Sequence, residues 1–313
     1  MKHLFSSLTL ALAMTGSLAA QAFELKHDTG RIQQEQAPQR IVTFDLAVLD
    51  SLHALDVAVA AVPGLKYEGA LESYNKMPVA GTLFEPDYDL LSLLQPDLIF
   101  AGGRSGKAVP RLTWLAPVAV YNSDTSRFME SFTEHNLALA RAFGKEERAE
   151  QLLKQTRTQV DQLKALNRGK TGAFLFTING MVMAHAPGDR FGYSYELTGL
   201  TPVLKPKAAD AAPMTRPEPG SPEARALQQA REQQIGEVAA SNPDWLLVLD
   251  RGAINGGEKT AEKTLAEHPQ LSQTEAYKQG RVVYLDPNGW YIIGGGLSNL
   301  QQLTADLLEQ MTR

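Results

Sequence analysis

Cysteine is absent from all 313 residues of the chain, and this single absence excludes several kinds of structure. Disulfide bonds and thiolate metal sites both require cysteine. A lipid carried on a cysteine behind an export signal also requires it, so we expect no lipid anchor. The sequence further lacks a nucleophile elbow, a phosphate-binding loop and a His-Glu-x-x-His motif. We therefore expect a protein that is not an enzyme.

Long apolar runs are also missing, and the one short run at the start has a different meaning. It extends from Leu4 to about Leu18, behind the basic start Met1-Lys2-His3 and ahead of Ala20-Gln21-Ala22. This order is typical of a secretory signal peptide, and the run is too short to span a membrane. We predict a signal peptide over residues 1–22, export by it, and a soluble protein in the periplasm.

An excess of basic residues is missing as well. The chain has 30 Lys and Arg against 35 Asp and Glu, which gives a formal charge of −5. An acidic chain without a Lys/Arg-rich run is poorly suited to nucleic acid, and we expect no such partner. Any anionic ligand would need basic side chains concentrated at one place. The length exceeds what one hydrophobic core usually serves, so the chain is expected to form two lobes.

Two parts of the chain resemble two other parts. Residues 40–45 match residues 281–286, and residues 95–104 match residues 242–251. In the second pair, Arg104 follows Pro96 at the same distance as Arg251 follows Pro243. Each segment reads as a helix, a Pro-Asp turn, a buried strand and then an arginine at the end of the strand. Two repeated units of this kind predict two lobes of similar build.

The repeated arginines point to a cleft between those lobes. Nearly continuous apolar strands that alternate with helices predict parallel sheets covered on both faces, hence an α/β fold. Ligands of such sheets bind beyond the carboxyl ends of the strands, where Arg104 and Arg251 are placed. Each arginine could instead cap its own strand or pair with a nearby carboxylate such as Asp250. The matched positions favour convergence on one cleft.

One long helix is predicted between the repeated units. Residues 145–166 contain strong helix formers, no internal Gly or Pro, and leucines on one face. We predict an N-terminal lobe over 23–144, a backbone helix over 145–168 and a C-terminal lobe over 169–313. A helical tether predicts a stiff protein that closes little. Residues 205–234 are rich in Pro and Ala at first and then polar, and they read as a long surface loop with a short helix.

Several motifs together resemble one family over residues 23–313. They are Gly188-Asp189-Arg190-Phe191-Gly192, Val248-Leu249-Asp250-Arg251, and Trp290-Tyr291-Ile292-Ile293-Gly294-Gly295-Gly296, with further similarity at 81–87 and 101–104. In this order and spacing they resemble the substrate-binding proteins of iron–siderophore ABC importers. The resemblance is to the catecholate group, in which a helical backbone joins two lobes.

The resemblance implies a ligand and residues that bind it. Arginines at the positions of Arg104, Arg190 and Arg251 would hold a ferric catecholate or mixed catecholate, and the Tyr291 phenolate would contact or ligate the iron beside Trp290. Iron would travel within the siderophore, with no permanent cofactor. The plainer alternatives are a turn salt bridge between Arg190 and Asp189, and a Tyr291 that only packs on the rim.

The sequence departs from the family at one position. Better-known members supply a histidine as a second iron ligand from a loop before the repeated Pro-Asp turn, and residues 224–233 contain none. His185 lies upstream of Arg190, but it reads as a polar residue at a strand end rather than as a ligand. The sequence therefore predicts one iron ligand, Tyr291, instead of a His/Tyr pair.

The resemblance also implies a membrane partner. Such proteins deliver their ligand to an inner-membrane ABC permease through acidic surface residues on each lobe, for which Asp89, Glu85 and Glu237 are candidates. Ordinary solvated helix charges would look the same. We expect a monomer. The alternatives for the function are a haem or corrinoid binding protein of the same architecture, or an exported hydrolase.

Overall fold

Helices and sheets alternate through the computed structural model, which describes residues 22–206 and 217–313. The predicted signal peptide lies outside the described residues except for Ala22. The strands of the described part are β1 (Phe23–His27), β2 (Gly30–Gln34), β3 (Ile41–Thr43), β4 (Leu98–Ala101), β5 (Val118–Val120), β6 (Thr171–Ile178), β7 (Met181–His185), β8 (Thr201–Pro202), β9 (Trp245–Asp250) and β10 (Val282–Leu285).

The helices of the same part are α1 (Leu46–Ala54), α2 (Tyr88–Leu94), α3 (Val109–Leu112), α4 (Phe128–Phe143), α5 (Glu146–Leu166), α6 (Tyr193–Thr198), α7 (Pro222–Ser241), α8 (Ala261–Glu267), α9 (Glu275–Lys278) and α10 (Leu297–Thr312). Short 3-10 turns follow β4 and β9, at Gly103–Ala108 and Arg251–Gly256. A single π-helical turn, Asn288–Ile293, leads toward α10.

Each lobe is built on its own sheet. The N-terminal sheet has the parallel order β3-β4-β5, and all its strand residues are buried. The C-terminal sheet has the order β10-β9-β6-β7, with β8 beside β6. All its pairs are parallel except the edge pair β6-β7. The predicted α/β fold with parallel sheets in two lobes is confirmed, and β7 adds an antiparallel edge.

The internal repeat is visible in the backbone. In each lobe the two repeated strands are parallel neighbours, β3 with β4 and β10 with β9. The helix before each Pro-Asp turn ends on a left-handed residue, Gln95 with φ of 47° and Asn242 with φ of 44°. Arg40 Nε donates to the Gln95 carbonyl and Arg281 Nε to the Asp244 carbonyl, both at 2.7 Å. The same turn therefore starts the central strand of each lobe.

Helix α5 lies where the tether was predicted. Its 21 residues extend roughly 32 Å. One face is buried, and this face includes Leu152, Leu153, Val160 and Leu163. The helix packs against α4 and α10, so it is joined along its length to elements of both lobes. The tether is thus a packed helix, and the exact lobe boundaries remain a prediction.

The expected loop over residues 205–234 is shorter than predicted. Helix α7 begins at Pro222 and continues without interruption to Ser241. Ser221 caps it, because its hydroxyl accepts a hydrogen bond from the Ala224 amide at 3.1 Å. Proline is favoured at the first helical position, since its missing N–H costs no hydrogen bond there. The polar second half of that stretch is therefore helix.

Candidate functional site

Arg104 and Arg251 both lie in the 3-10 turns directly after the central strands of their lobes. The Asp250 carboxylate beside Arg251 accepts hydrogen bonds from the amides of Gly252, Thr260 and Ala261, at 2.9, 2.6 and 2.8 Å. Asp250 thus shapes the turn that carries Arg251. The hydroxyls of Thr177 and Thr260 donate to the same carboxylate at 3.3 and 3.5 Å.

Arg190 lies in a tight loop between β7 and α6. The Asp189 carboxylate accepts from the Ala186 amide at 3.0 Å, which closes the loop. A Cβ atom at Gly192 would lie 2.8 Å from the Ala186 carbonyl oxygen, so the close approach requires glycine. The Arg190 side chain turns to the Tyr291 carbonyl, to which Nη2 donates at 2.9 Å. The glycines of this motif therefore shape the loop that presents the arginine.

Tyr291 is the point on which the three arginines converge. The guanidinium carbons of Arg104, Arg190 and Arg251 lie 5.7, 4.3 and 5.4 Å from the centre of its ring. Arg104 also reaches across from the N-terminal lobe, where its two terminal nitrogens donate to the carbonyls of Tyr291 and Ile292 at 2.5 and 3.0 Å. Three positive charges from both lobes thus surround one half-buried phenol.

The arginines change the acidity of that phenol. Burial by itself raises the pKa of Tyr291, but the hydrogen bond from Arg251 and the charge of Arg190 outweigh burial and hold the pKa below its ordinary value of 10.0. Burial and the charge of Arg190 lower the pKa of Arg104 in turn, although a guanidinium stays protonated at neutral pH. The cluster therefore favours an anionic oxygen at its centre.

Trp290 precedes Tyr291 in the chain and is almost fully buried, although it lines the cavity beside the cluster. Its indole is only 2% exposed and stacks on Tyr193, with ring centres 5.4 Å apart. Tyr193 stacks in turn on Phe128 of α4 at 4.2 Å. The stack joins the two lobes under the cleft. Direct ligand contact remains the prediction for Tyr291, the three arginines and Trp290, which also lines the cavity beside Tyr291.

A cavity of about 500 Å³ opens beside Tyr291. Its lining includes Arg104, Arg190 and Tyr291, together with residues that the sequence did not single out, such as Phe44, Asp45, Asn122 and Tyr193. Ligand pockets for drug-sized molecules commonly have this size. A second cavity of about 610 Å³ adjoins the other side of the same segment and shares Ile292 and Ile293 in its lining. The cavity beside Tyr291 therefore has room for a compact ligand.

Asp45 is the functional candidate that the sequence analysis overlooked. It caps α1, because its Oδ1 accepts from the amides of Ala47 and Val48 at 2.9 and 3.1 Å. Burial raises its pKa, against these hydrogen bonds and the charge of Arg104. The internal repeat points to Asp45, because Asp45 and Asp286 are the last residues of two matched segments. Both carboxylates cap the turn that follows a strand.

His185 is separated from Tyr291 by aromatic side chains. It ends β7, and its ring makes edge contacts with Phe174, Phe176 and Phe191, at centre distances of 5.1 to 5.9 Å. Phe176 and Phe191 also contact the Tyr291 ring. The position agrees with a residue at a strand end, as predicted. Residues 224–233, where a second ligand was sought, lie in α7.

The acidic candidates for docking occupy equivalent elements of the two lobes. Asp89 lies in the first turn of α2, Glu85 just before it, and Glu237 in α7. All three are exposed. Helices α2 and α7 each precede the central strand of a lobe. Within residues 22–206 and 217–313, no helix is long and apolar enough to cross a membrane.

Comparison with known proteins gives relatives that match over most of their length. The petrobactin-binding protein YclQ of Bacillus subtilis is 27% identical over 282 residues, which cover 88% of this chain and 83% of the relative. The ferric-anguibactin-binding protein FatB of Vibrio anguillarum is 24% identical over 294 residues, 91% of this chain and 86% of the relative. Both alignments include nearly all of the two lobes.

A solved structure shows the same fold. The periplasmic catecholate-siderophore binding protein VctP from Vibrio cholerae superposes with a TM-score of 0.78 and 24% identity, and the match covers 92% of this chain and all of that one. The sequence pattern of the periplasmic binding protein family matches residues 41–288. This family consists of substrate-binding proteins rather than enzymes. The matched range includes Arg104, Arg190 and Arg251. The chain therefore belongs to the periplasmic binding protein family.

Proposed function

We propose that this protein binds an anionic ferric siderophore, of the catecholate or mixed catecholate type, and delivers it to an ABC permease of the inner membrane. The observation that carries the proposal is the convergence of Arg104, Arg190 and Arg251 within 5.7 Å of the Tyr291 ring centre. YclQ is a petrobactin-binding protein, FatB a ferric-anguibactin-binding protein and VctP a catecholate-siderophore binding protein, which supports the same ligand class.

The charge of the cluster suits such a complex. A ferric tris-catecholate combines Fe³⁺ with six oxyanions and carries a net charge of about −3, which three guanidinium groups can balance. Guanidinium groups donate to several oxygens at once and stack on aromatic rings, as these already do on Tyr291. The cleft is therefore matched to a compact, aromatic polyanion. A haem or corrinoid would present a large apolar face, and three converging cations do not suit it.

Tyr291 is the proposed protein ligand of the iron. Ferric iron is a hard cation, and a phenolate oxygen is a hard ligand. The lowered pKa of Tyr291 makes the phenolate easier to form. Since His185 packs against three phenylalanines and faces the Asp189 carboxylate at 3.7 Å, we propose that the protein supplies one such ligand rather than two. The iron belongs to the cargo, and the protein carries out no reaction on it.

The two lobes are proposed to present matching acidic sites to the permease. Asp89 on α2, Glu85 just before it and Glu237 on α7 are exposed, and α2 and α7 occupy equivalent positions in the two lobes. The N-terminal lobe would extend over residues 23–144 and the C-terminal lobe over 169–313. Each binding protein would dock as a monomer, because the two lobes of one chain already supply both acidic sites.

The proposal is tested by titrating the purified protein with a ferric tris-catecholate and following tryptophan fluorescence. Trp290 lines the cavity beside Tyr291, so energy transfer to the coloured complex should produce saturable quenching. Haem is titrated in parallel, and ester and phosphate substrates are incubated with the protein to test for turnover. Absence of quenching and of a calorimetric signal with every catecholate complex would refute the proposal, and so would tighter binding of haem.

A further inference from the structure

The segment that carries Tyr291 is pressed against a helix of the other lobe. After Asn288–Ile293 come three glycines and then α10. Gly296 has a φ of +84°, and a Cβ atom there would lie 2.4 Å from Oδ2 of Asp50 on α1. A Cβ atom at Gly295 would lie 3.2 Å from Cβ of Ala47 on the same helix. Only glycine allows the chain to come this close to α1.

Asp50 is the group that the glycine run approaches. Its side chain is 2% exposed, and Oδ2 accepts hydrogen bonds from the amides of Ser298 and Asn299 at 2.8 and 3.0 Å. These amides belong to the first turn of α10, which has no side-chain cap of its own at Gly296. A carboxylate at the N-terminus of a helix is favoured by the exposed amides and by the helix dipole.

Asn299 donates its backbone amide to Asp50, and its side chain contacts both ends of the Tyr291 segment. Its Nδ2 donates to the carbonyl of Gly289 at 3.2 Å and to that of Gly295 at 3.0 Å. Gly289 lies two residues before Tyr291, and Gly295 lies four residues after it. Asp50 holds the backbone of Asn299, and the Asn299 side chain holds the two ends of the loop. The phenol is thereby fixed relative to α1, across the lobes.

We propose that Asp50 is a positioning residue of the ligand site, which places the Tyr291 phenol among the three arginines by holding α10 and, through Asn299, the Tyr291 segment. The inference rests on the proposed function for the role of Tyr291 in binding. The placement of the phenol itself is a property of the protein alone and can be measured without any ligand.

The burial of Asp50 supports a role beyond stability. Burial raises its pKa to about 7, against the hydrogen bonds from Asn299 and Ser298. Holding the carboxylate here therefore costs folding free energy at neutral pH. An amide side chain of the same shape would avoid that cost, but its neutral oxygen would hold the Ser298 and Asn299 amides less firmly than the carboxylate does. The benefit that offsets this cost is the fixing of the segment that bears Tyr291.

The test uses Asp50→Asn, with Asp97→Asn as its matched control. Asp97 also accepts two backbone amides from a distant segment, those of Gln39 and Arg40 at 2.8 Å, but it lies at the start of β4, away from the cleft. The first measurement is an ultraviolet titration of tyrosine without ligand. The contribution of Tyr291 is obtained by subtracting the Tyr291→Phe profile.

In the wild type and in Asp97→Asn, the Tyr291 phenol should titrate below the ordinary value of 10.0. In Asp50→Asn it should titrate closer to that value, because the displaced ring loses contact with Arg190 and Arg251. If Asp50→Asn does not fold, Asn299→Ala replaces it, since this change removes the links to Gly289 and Gly295 and leaves Asp50 in place. A folded variant in which the Tyr291 titration is unchanged would overturn the proposal.

The second measurement is the affinity for a ferric tris-catecholate. Asp50→Asn should weaken binding about tenfold, and the double variant with Tyr291→Phe should bind no more weakly than Tyr291→Phe alone, because both changes act through the same phenol. Additive losses would contradict the positioning role. If the wild type binds no catecholate, the proposed function fails, whereas the phenol titration still decides the role of Asp50.

Discussion

Arg190 provides the sharpest test of the ligand site, since its guanidinium lies nearest to Tyr291. The guanidinium carbon is 4.3 Å from the ring centre, and Nη2 donates to the Tyr291 carbonyl. The neighbouring Asp189 carboxylate accepts from the Ala186 amide and holds the loop. Replacing Arg190 with glutamine therefore removes one positive charge from the cleft and leaves the hydrogen bond that closes the loop.

The size of the effect follows from Coulomb's law. A ligand charge as far from the Arg190 guanidinium as the Tyr291 ring centre is, at 4.3 Å, would be attracted by about 1 kcal/mol in water and about 4 kcal/mol at the effective dielectric constant of about 20 found near protein surfaces. Arg190 is exposed, so the lower part of that range applies. We expect Arg190→Gln to weaken the binding of a ferric tris-catecholate by about 1–2 kcal/mol, or roughly 5- to 30-fold. The loss should shrink as salt is added, because salt screens exposed charges.

The assay is a calorimetric or fluorescence titration at two salt concentrations, with Arg111→Gln as the control. Arg111 stacks on the Tyr88 ring at 3.6 Å and is not one of the three arginines around Tyr291. This control removes the same kind of arginine–tyrosine contact and the same charge from elsewhere in the chain. Normal binding by Arg104→Gln, Arg190→Gln and Arg251→Gln would refute the assignment, as would an equal loss in Arg111→Gln.

Three further predictions concern stability and shape. The folded-state pKa of Asp50, about 7, exceeds its ordinary value of 3.8. The free energy of unfolding of the wild type should therefore fall by about 4 kcal/mol relative to that of Asp50→Asn as pH rises from about 4 to above 7. The same pH dependence of this free energy in both proteins would contradict the prediction. Gly296→Ala should destabilise more than Gly280→Ala, since both positions have positive φ but only Gly296 also lies against Asp50; equal melting temperatures would contradict the close approach. X-ray scattering profiles of free and loaded protein should nearly superimpose, and a large compaction would argue against a stiff tether.

The sequence predicted those parts of the site that follow from local pattern. The repeated Pro-Asp turns located β4 and β9 and, with them, Arg104 and Arg251. Strand polarity then implied that both arginines lie at one cleft, and the structure brings both to Tyr291. Arg190 could not be placed in this way, because it belongs to a loop with no counterpart in the repeat. Its prediction depended on the family motif.

The β1-β2 hairpin and the start of helix α7 also have local signals in the sequence. The β1-β2 hairpin shows period-two burial, with Phe23 and Leu25 inside, as its alternating sequence allows. Helix α7 has a capping serine and a proline at the first position, which together predict a helix start at Ser221. The full length of α7 was not predicted because the helix has no continuous apolar face, and only Ile235 and Val238 are buried.

The contacts between the lobes could not be predicted from sequence. Asp50 and Ser298 are 248 positions apart, and neither belongs to a motif that requires the other. An aspartate in an apolar helix pattern reads as a solvated residue until the partner that buries it is known. The burial of Trp290 was unpredictable for a related reason, since its stacking with Tyr193 depends on how the two lobes meet.

The way the lobes meet has a consequence for binding. Glu196 of α6 accepts from the amides of Phe128 and Met129 at the start of α4, at 2.9 and 3.2 Å. Asp50 of α1 does the same for α10. Each contact links a carboxylate of one helix to the first amides of another helix. With the lobes held in this way, the arginines need little ordering before a ligand arrives. A site organised in advance loses less entropy on binding, so affinity can come from charge and coordination rather than from closure.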